Sequence, residues 1–294
     1  DGLDHFRKEY NQMLLSKVTG TSNSIIRERI LTVTVAKRNI EEARAYFSRV
    51  GTDLLTHLSR LSSVGRELDL SQRLELFREF FKGGEPPAFP FDLKDFLRKG
   101  HHFKDWLCPD SLEIAQDHFK VDGRWGRVLY LQSYASYIKD TMISELCDLD
   151  RSLMLSIDIL PVPTDEAVRE IQNKLLGVMT NAANFQRRQN AANNFSAVLP
   201  YDMEQQKKET TEMLDDLTNR DQRMMFGLVT LVHLADTKEQ LDSDTETLVT
   251  VARKHLCQLS TLRWQQKDGL DTVLPYGLRK IQALRTLTTE STAV

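Results

Sequence analysis

The chain opens with two different spacings of apolar residues. Residues 30–35 (ILTVTV) are β-branched and alternating, which predicts a strand. After Asn39, a good helix cap, apolar residues recur at steps of three and four, which predicts a helix with one stripe facing a core. That stripe comprises Ile40, Ala43, Phe47, Val50, Leu54, Leu58 and Leu61. A short strand around residue 68 and a helix over residues 74–80 complete the order β-α-β-α.

Residues 83–87 (GGEPP) are the clearest interruption of this pattern. Two glycines and two prolines in five residues cannot continue a helix or a central strand. We therefore predict that residues 1–83 form an incomplete, smaller α/β unit of order β-α-β-α. Residues 84–117 are poorly patterned and are predicted to be a connector.

From residue 118 onward the pattern is more regular. Asp122-Gly123 separates two apolar runs and predicts a hairpin turn. Thr164 is predicted to cap the first of two long helices, and Thr237 begins a capping-box pattern. The remaining elements are predicted as a helix over 134–148, a strand over 153–159, a helical hairpin over 164–219, a strand over 224–234, a helix after 237 and a strand over 255–264.

This order is β-α-β, then a helical hairpin, then β-α-β. It predicts an α+β domain over residues 118–294, with a ferredoxin-like split βαβ sheet and the long hairpin inserted at 164–219. In that topology the first and third strands are central. The strands around Val128 and Val229 are nearly all apolar, as central strands require, whereas the other two carry polar residues: Ser156, Asp158, Gln258 and Ser260.

Charge and composition restrict the possible partners. Lysine and arginine total 39 against 42 acidic residues, a net charge of -3, so we expect no direct binding of duplex DNA. No apolar run approaches the roughly 18–20 residues of a membrane span, and no signal-peptide pattern is present. Three distant cysteines without a CxxC motif are typical of a reducing, cytoplasmic compartment. The absence of an initiator methionine predicts that the chain is part of a longer protein.

Motifs of known chemistry are missing from the chain. No glycine precedes a lysine, so the phosphate-binding GxxxxGK[ST] pattern is absent, as are HExxH and GxSxG. His101, His102, Cys108 and His118 have no standard zinc spacing. Residues 242–246 begin like a calcium loop, but Thr247 and Arg253 occupy its glycine and glutamate positions, which favours the solvated face of a helix. Cys147 and Cys257 lie on or beside apolar stripes and are interpreted as buried structural residues.

The turn of the helical hairpin is the best candidate for a contact surface. Paired basic residues flank it, at 187–188 and 207–208. The groups proposed to bind a partner are Gln186, Arg187, Arg188, Gln189 and Asn190. Such groups contribute little to a core, so we predict that they contact another protein.

Several stretches of the second half carry a family resemblance. They are residues 159–167 (ILPVPTDEA), 186–190 (QRRQN), 200–206 (PYDMEQQ), 216–224 (DLTNRDQRM), 235–242 (ADTKEQLD) and 285–291 (RTLTTES). In these stretches the sequence resembles the CagE/TrbE/VirB family of conjugal-transfer ATPases, especially the forms carried by integrative elements of Gram-positive bacteria.

The resemblance implies a protein in two parts. The N-terminal part docks on the inner-membrane complex of a type IV secretion system and helps to arrange subunits during DNA transfer. A C-terminal RecA-like part binds ATP and Mg²⁺ and often forms hexamers. In the family that part begins shortly after the counterpart of residues 288–291, and this chain stops at Val294. We therefore expect no catalytic residue and no cofactor in this fragment, self-association when the ATPase domain is present, and a cytoplasmic location peripheral to the membrane.

Two other readings remain open at this stage. The chain is a stand-alone enzyme if the region around His101 holds an unrecognised site. It is a nucleic-acid adaptor if its sheet stacks bases on Tyr130 and Phe226, the aromatic residues of the two central strands.

Overall fold

The computed structural model describes residue 10 and residues 27–83, 91–135, 140–194 and 198–292. The chain is of the α+β class. Its helices are α1 (Ile40–Arg60), α2 (Leu70–Lys82), α3 (Leu93–Lys99), α4 (Phe103–Leu107), α5 (Asp140–Cys147), α6 (Thr164–Ala191), α7 (Tyr201–Asn219), α8 (Lys238–Lys254), α9 (Gln266–Val273) and α10 (Thr289–Thr292). Its strands are β1 (Leu112–Ile114), β2 (Phe119–Val121), β3 (Arg124–Ser133), β4 (Leu153–Pro161), β5 (Met224–Ala235), β6 (Gln258–Thr261) and β7 (Arg285–Thr288).

These seven strands form one antiparallel sheet with β3 and β5 side by side at its centre. The outer side of β3 pairs first with β2 and then with β6. One side of β5 pairs with β7 and then with β3, and its other side pairs with β4 along nine residues. The strands around Val128 and Val229 are thus the central ones, as their apolar sequences predict.

One side of each central strand pairs with two strands in succession: β2 and β6 for β3, and β7 and β3 for β5. In each case a side chain bonds to the central strand in the gap between the two. Beside β3, the Gln266 amide accepts from the Val128 N–H at 2.8 Å and donates to the Val128 carbonyl at 3.1 Å. Beside β5, the Tyr134 hydroxyl accepts from the Val229 N–H at 3.3 Å. Buried backbone groups need such partners, so these two side chains complete the ladder.

Helices cover both faces of the sheet. On one face, α5 and α8 pack on residues such as Leu129 and Leu231. On the other face, α2, α4 and α9 pack on Val128 and Leu228. Because α2 contributes Leu74, Phe77 and Phe81 to the same hydrophobic cluster as the sheet, it is joined to the core of the second half.

Two expectations for the first unit were wrong. Residues 30–35 form no strand, and residue 68 lies in no strand either. Helix α1 forms where predicted, with Asn39 accepting from the Glu42 N–H at 2.8 Å. However, none of its residues is buried; of its apolar stripe, Ala43, Val50, Leu54 and Leu58 are half-buried and the rest are exposed. Local sequence determined the helix, but only tertiary contacts could have buried the stripe or paired the strand.

The predicted connector also contains short elements. Helices α3 and α4 and strand β1 lie within it, and Phe96, Trp106 and Leu107 join the core on the α2 side of the sheet. Helices of seven and five residues are too short to show a clear period, which is why the pattern looked poor. The boundaries at residues 83 and 117 stay predictions.

Most elements of the second half lie where they were predicted. The turn between β2 and β3 has positive φ at both Asp122 (46°) and Gly123 (86°), as a two-residue hairpin turn requires. Helix α6 begins at Thr164, but Pro163 is its cap and no side chain makes a capping bond, so the expected role of Thr164 was wrong. The strand expected over 255–264 is only Gln258–Thr261, and the later elements α9 and β7 were not predicted. None of the described helices is long and apolar enough to cross a membrane.

Candidate partner-binding surface

The helical hairpin is attached to the sheet through a small hydrophobic cluster at its base. Ala167 and Ile171 of α6 pack there with Leu217 of α7 and Met224 at the start of β5. Both helices connect directly to neighbouring strands, since α6 follows β4 and α7 precedes β5. The base of the hairpin is therefore held by the central strand of the sheet.

Beyond this base the hairpin has little core of its own. Residues 172–191 of α6 include no buried residue, although at 1.5 Å per residue they span roughly 30 Å. Half-buried residues recur along one side of this segment, where α6 packs on α7: Leu175, Val178, Ala182 and Phe185. We call residues 172–191 the distal arm.

The sequence placed the five predicted contact residues in the turn of the hairpin. In the structure they lie in the last turns of α6. Gln186, Arg187, Arg188 and Asn190 are exposed, and Gln189 is half-buried. The helix extends this far because arginine, glutamine and alanine are good helix formers.

The helix then ends by a Schellman arrangement. Asn193, with φ of 60°, donates to the Asn190 carbonyl at 3.0 Å, and Asn194 donates to the Gln189 carbonyl at 2.9 Å. Asparagine tolerates the left-handed conformation that this ending needs. The end of the distal arm is thereby held in a defined conformation.

The distal arm is cationic, whereas the whole chain is slightly acidic. Between residues 171 and 201 the charged residues are Lys174, Arg187 and Arg188, with no aspartate or glutamate. Neither arginine forms an ion pair within the described ranges. Their position at a helix C-terminus is favourable, because the helix dipole is negative there. Both guanidinium groups are available to a carboxylate-bearing partner.

Sequence reasoning missed an apolar part of this surface. Leu176 is 65% exposed and Met179 is 48% exposed. Steps of three and four residues place them on one helical face with Ala183, Arg187 and Asn190, all of which are exposed. We call this stripe the outer face of α6. Arg188 lies about 100° from Arg187 around the helix and points to a different side. Projecting the sequence on a helical wheel could have found this face, since Leu176 and Met179 fall outside the packing stripe.

A second polar group lies beneath α8 and was not predicted as a cluster. Arg127 on β3 is buried and donates to Asp242 at 2.8 Å, to Thr245 at 2.9 Å and to the Asp117 carbonyl at 3.0 Å. His233, opposite Arg127 on β5, lies 3.1 Å from the Thr245 hydroxyl through Nε2. With its guanidinium bonded on several sides, Arg127 joins the sheet to α8 and to the segment before β2.

His233 is fully buried and its Nδ1 atom has no hydrogen-bond partner. Burial lowers the pKa of His233 from 6.5 to about 4, with smaller contributions from Arg127 and Arg151. The imidazole is therefore neutral at physiological pH. The two arginines that help to lower its pKa are each paired with an aspartate, Arg127 with Asp242 and Arg151 with Asp244.

Asp244 corrects the expectation that residues 242–246 form only a solvated helix face. Its side chain is buried and accepts from Arg151 and, at 2.6 Å, from Gln240. Asp242 thus ties α8 to the sheet through Arg127, and Asp244 ties it to the segment before β4 through Arg151.

An open cleft of about 320 Å³ lies beside Asp244 at the start of α8. It is lined by Arg124, Asp150, Arg151, Ser152, Leu234, Ala235, Asp236, Gln240 and Asp244. Arg124 is already engaged, because it donates to the carbonyls of Phe80 and Phe81 at the end of α2. Arg151 and Asp244 pair with each other in the cleft, and this pair, like the contacts of Arg124, favours a structural role.

The histidines and cysteine that resemble metal ligands serve separate local contacts. His102 caps α4 by accepting from the Lys104 N–H at 3.2 Å, and His118 pairs with Asp117 at 2.7 Å. Cys108 is exposed. Over the part of the chain that the structure describes, no three histidine, cysteine, aspartate or glutamate side chains are grouped to hold a metal ion.

The two aromatic residues considered for base stacking are half-buried. Tyr130 packs against the cluster on the α2 side, and Phe226 packs against the base of the hairpin. Neither presents a free ring face as part of an exposed aromatic platform.

Comparison with known proteins does not assign this chain to a family. No family model matches it, and no curated protein is similar to it in sequence. The resemblance to conjugal-transfer ATPases therefore stays a prediction from the stretches quoted above.

Proposed function

We propose that this chain is the non-catalytic N-terminal docking module of a conjugative type IV secretion ATPase. In this proposal it binds other components at the inner membrane and acts through protein–protein contact during DNA transfer. The observation that carries the proposal is the distal arm. It extends roughly 30 Å without a buried residue, is cationic, and presents Leu176 and Met179 on the same helical face as Arg187.

The strand order supports the finer description of the fold that belongs to this proposal. Across the sheet, β6, β3, β5 and β4 are neighbours in that order, and all pairs are antiparallel. Helix α5 connects β3 to β4, and α8 connects β5 to β6. We propose that these elements are a ferredoxin-like split βαβ unit, with the helical hairpin inserted between its two halves.

The chemistry of the distal arm favours a partner with an acidic surface around an apolar patch. Arginine binds carboxylates through two parallel hydrogen bonds, and a long-range charge difference accelerates encounter. Leu176 and Met179 supply apolar area that a partner can cover, and methionine adapts well to an irregular surface. Binding through this surface is therefore expected to weaken at high ionic strength.

The proposal is tested with charge reversal on the arm of the full-length protein. Changing Arg187 and Arg188 to Glu should leave stability within about 0.5 kcal/mol, because both side chains are exposed, but should impair conjugation. A matched control changes Arg263 and Lys267 to Glu, which makes the same charge change at two exposed residues outside the hairpin. Conjugation by this control should be normal.

The single variants sharpen the test. Arg187 shares the outer face of α6 with Leu176 and Met179, whereas Arg188 points to another side. Arg187→Glu should therefore impair transfer more than Arg188→Glu, and Leu176→Ser should resemble Arg187→Glu. Normal DNA transfer by a well-expressed Arg187→Glu/Arg188→Glu protein would show that the arm is ordinary solvated surface.

A further inference from the structure

Strand β4 is an edge of the sheet with one unpaired side. All nine of its residues pair with β5, and no described residue forms a strand on its other side. An edge strand presents free N–H and C=O groups that can pair with another strand, and proteins usually protect long edges with lysine, proline or a bulge. Strand β4 contains no lysine and pairs with β5 without a bulge; its proline, Pro161, is its last residue, and its one charged residue, Asp158, is half-buried.

The edge also exposes apolar side chains. Ile157 is 52% exposed and Ile159 is 44% exposed, and they lie on the same face of the sheet because they are two residues apart. Leu153 and Leu155, which precede them on that face, pack against the cluster under α5 and α8. Along β4, this apolar face therefore passes from residues covered by helices to exposed residues.

The sequence of β4 is nearly symmetric in chemical type about Ile157. On either side of Ile157 lie the polar residues Ser156 and Asp158. The next pair outward, Leu155 and Ile159, is branched aliphatic, and the pair after that, Met154 and Leu160, is apolar and of similar size. When two antiparallel strands are related by a two-fold axis, each residue opposes its mirror position on the partner. A strand with this symmetry is complementary to a second copy of itself.

One register satisfies this complementarity. Centred on Ile157, residues 154–160 oppose one another and the end pair is Leu153 with Pro161, which has no N–H to donate. The isoleucines and Leu155 form a continuous apolar row, and each Asp158 opposes a Ser156 hydroxyl. Within one chain Ser156 already donates to Asp158 at 3.3 Å, so the two groups are suited to each other. Centring on Asp158 would place two carboxylates directly opposite, which is destabilising. Centring on Ser156 would oppose Asp158 with Met154.

We propose that β4 is a self-association edge, through which two copies of this chain pair antiparallel with Ile157 on the two-fold axis. The two sheets become one continuous sheet, and the exposed isoleucines of both copies cover each other. The inference concerns this chain alone and does not depend on the proposed function.

Disulfide trapping tests the register. Opposing residues of antiparallel strands have Cα atoms about 4.5–5.5 Å apart, within the range of a disulfide. In a chain carrying Cys108→Ser and Cys147→Ser, with the buried Cys257 retained, Ile157→Cys should give a covalent dimer under mild oxidation. Ile159→Cys, exposed on the same face of the same strand, should not, since four residues separate it from its own copy, about 13 Å. A mixture of Leu155→Cys and Ile159→Cys chains should cross-link with each other.

Sedimentation velocity of the chain without cysteine substitutions provides the second measurement. The wild-type chain should show a concentration-dependent dimer. Ile157→Lys should be monomeric, because two lysines would oppose each other at an exposed position, and its melting temperature should match that of the wild-type chain at dilutions where the dimer dissociates. The matched control is Leu61→Lys, which places a lysine at the exposed leucine that follows the last residue of α1. This variant should still form the dimer.

The outcomes separate the possible occupants of the edge. A monomer at every concentration up to the solubility limit overturns the proposal and leaves the edge to a strand of a different protein. A dimer that Ile157→Lys does not dissociate, or that cross-links equally well through residue 159, also overturns it. Cross-linking at 157 together with dissociation by Ile157→Lys supports it.

Discussion

Gln266 offers a direct test of how the central sheet is held together. Its side chain is fully buried and bonds to the N–H and carbonyl of Val128 and, at 2.6 Å, to the Leu262 carbonyl. We predict that Gln266→Leu, a change to an apolar residue of similar size, destabilises the chain. The Val128 carbonyl keeps one partner, the Leu262 N–H at 3.1 Å, but the Val128 N–H and the Leu262 carbonyl lose theirs.

The magnitude follows from the two groups left without a partner. A buried backbone group without a hydrogen bond costs about 1–3 kcal/mol, and the apolar leucine recovers part of this loss through its own burial. We expect a net loss of about 2–3 kcal/mol, a large share of the roughly 5–15 kcal/mol that stabilises a domain.

The measurement is urea denaturation followed by circular dichroism, with Gln265→Leu as the matched control. Gln265 is exposed and its side chain makes no capping bond, so its replacement should change the free energy of unfolding by less than about 0.5 kcal/mol. If Gln266→Leu is as stable as Gln265→Leu, the Gln266 side chain does not stabilise the gap between β2 and β6 beside β3.

Three further predictions concern the core, its pH dependence and nucleotide binding. Val229→Asp should cost several kcal/mol and prevent folding, because it places an unpaired carboxylate in the covered centre of the sheet, whereas Leu61→Asp on the exposed end of α1 should fold; soluble expression and melting temperature distinguish them. Because the pKa of His233 falls from 6.5 to about 4 on folding, its contribution is complete above pH 6.5 and is lost as the pH falls toward 4, by about 3 kcal/mol in the limit. Urea titrations at several pH values should show that loss in the wild-type chain and a smaller one in His233→Gln. The chain alone should neither bind nor hydrolyse ATP, and saturable turnover in a clean preparation that a substitution in this chain abolishes would instead favour an enzyme.

The local pattern of the sequence was enough to predict most elements of the second half. Strand β5 and helix α6 were recognisable because their apolar residues follow periods that a strand or a helix imposes at short range. The Asp122-Gly123 turn was predictable for a similar reason, since its positive φ angles restrict the residues it accepts. The candidate contact residues 186–190 were also identified from local composition alone.

Long-range contacts decided what the pattern could not. Residues 30–35 have strand propensity, but pairing needs a partner strand, and the described structure provides none there. Tyr134 was predicted to begin a helix, and Gln266 lay outside every predicted element. Their role beside Val128 and Val229 depends on residues about one hundred positions away or more. The direction of Arg187 relative to Arg188 likewise required knowing that the helix continues through both.

The sequence by itself determined where most helices and strands of the second half form, because hydrophobic period, caps and turn residues act within a few positions of one another. Only the tertiary structure decided which apolar faces are covered. The stripes of α1 and α2 look alike in sequence, yet α2 is buried on the sheet and α1 is not. The same holds for β4, where Leu153 and Leu155 pack under α5 and α8 while Ile157 and Ile159 on the same face are exposed. Burial depends on which surface another element reaches, and no local pattern contains that information.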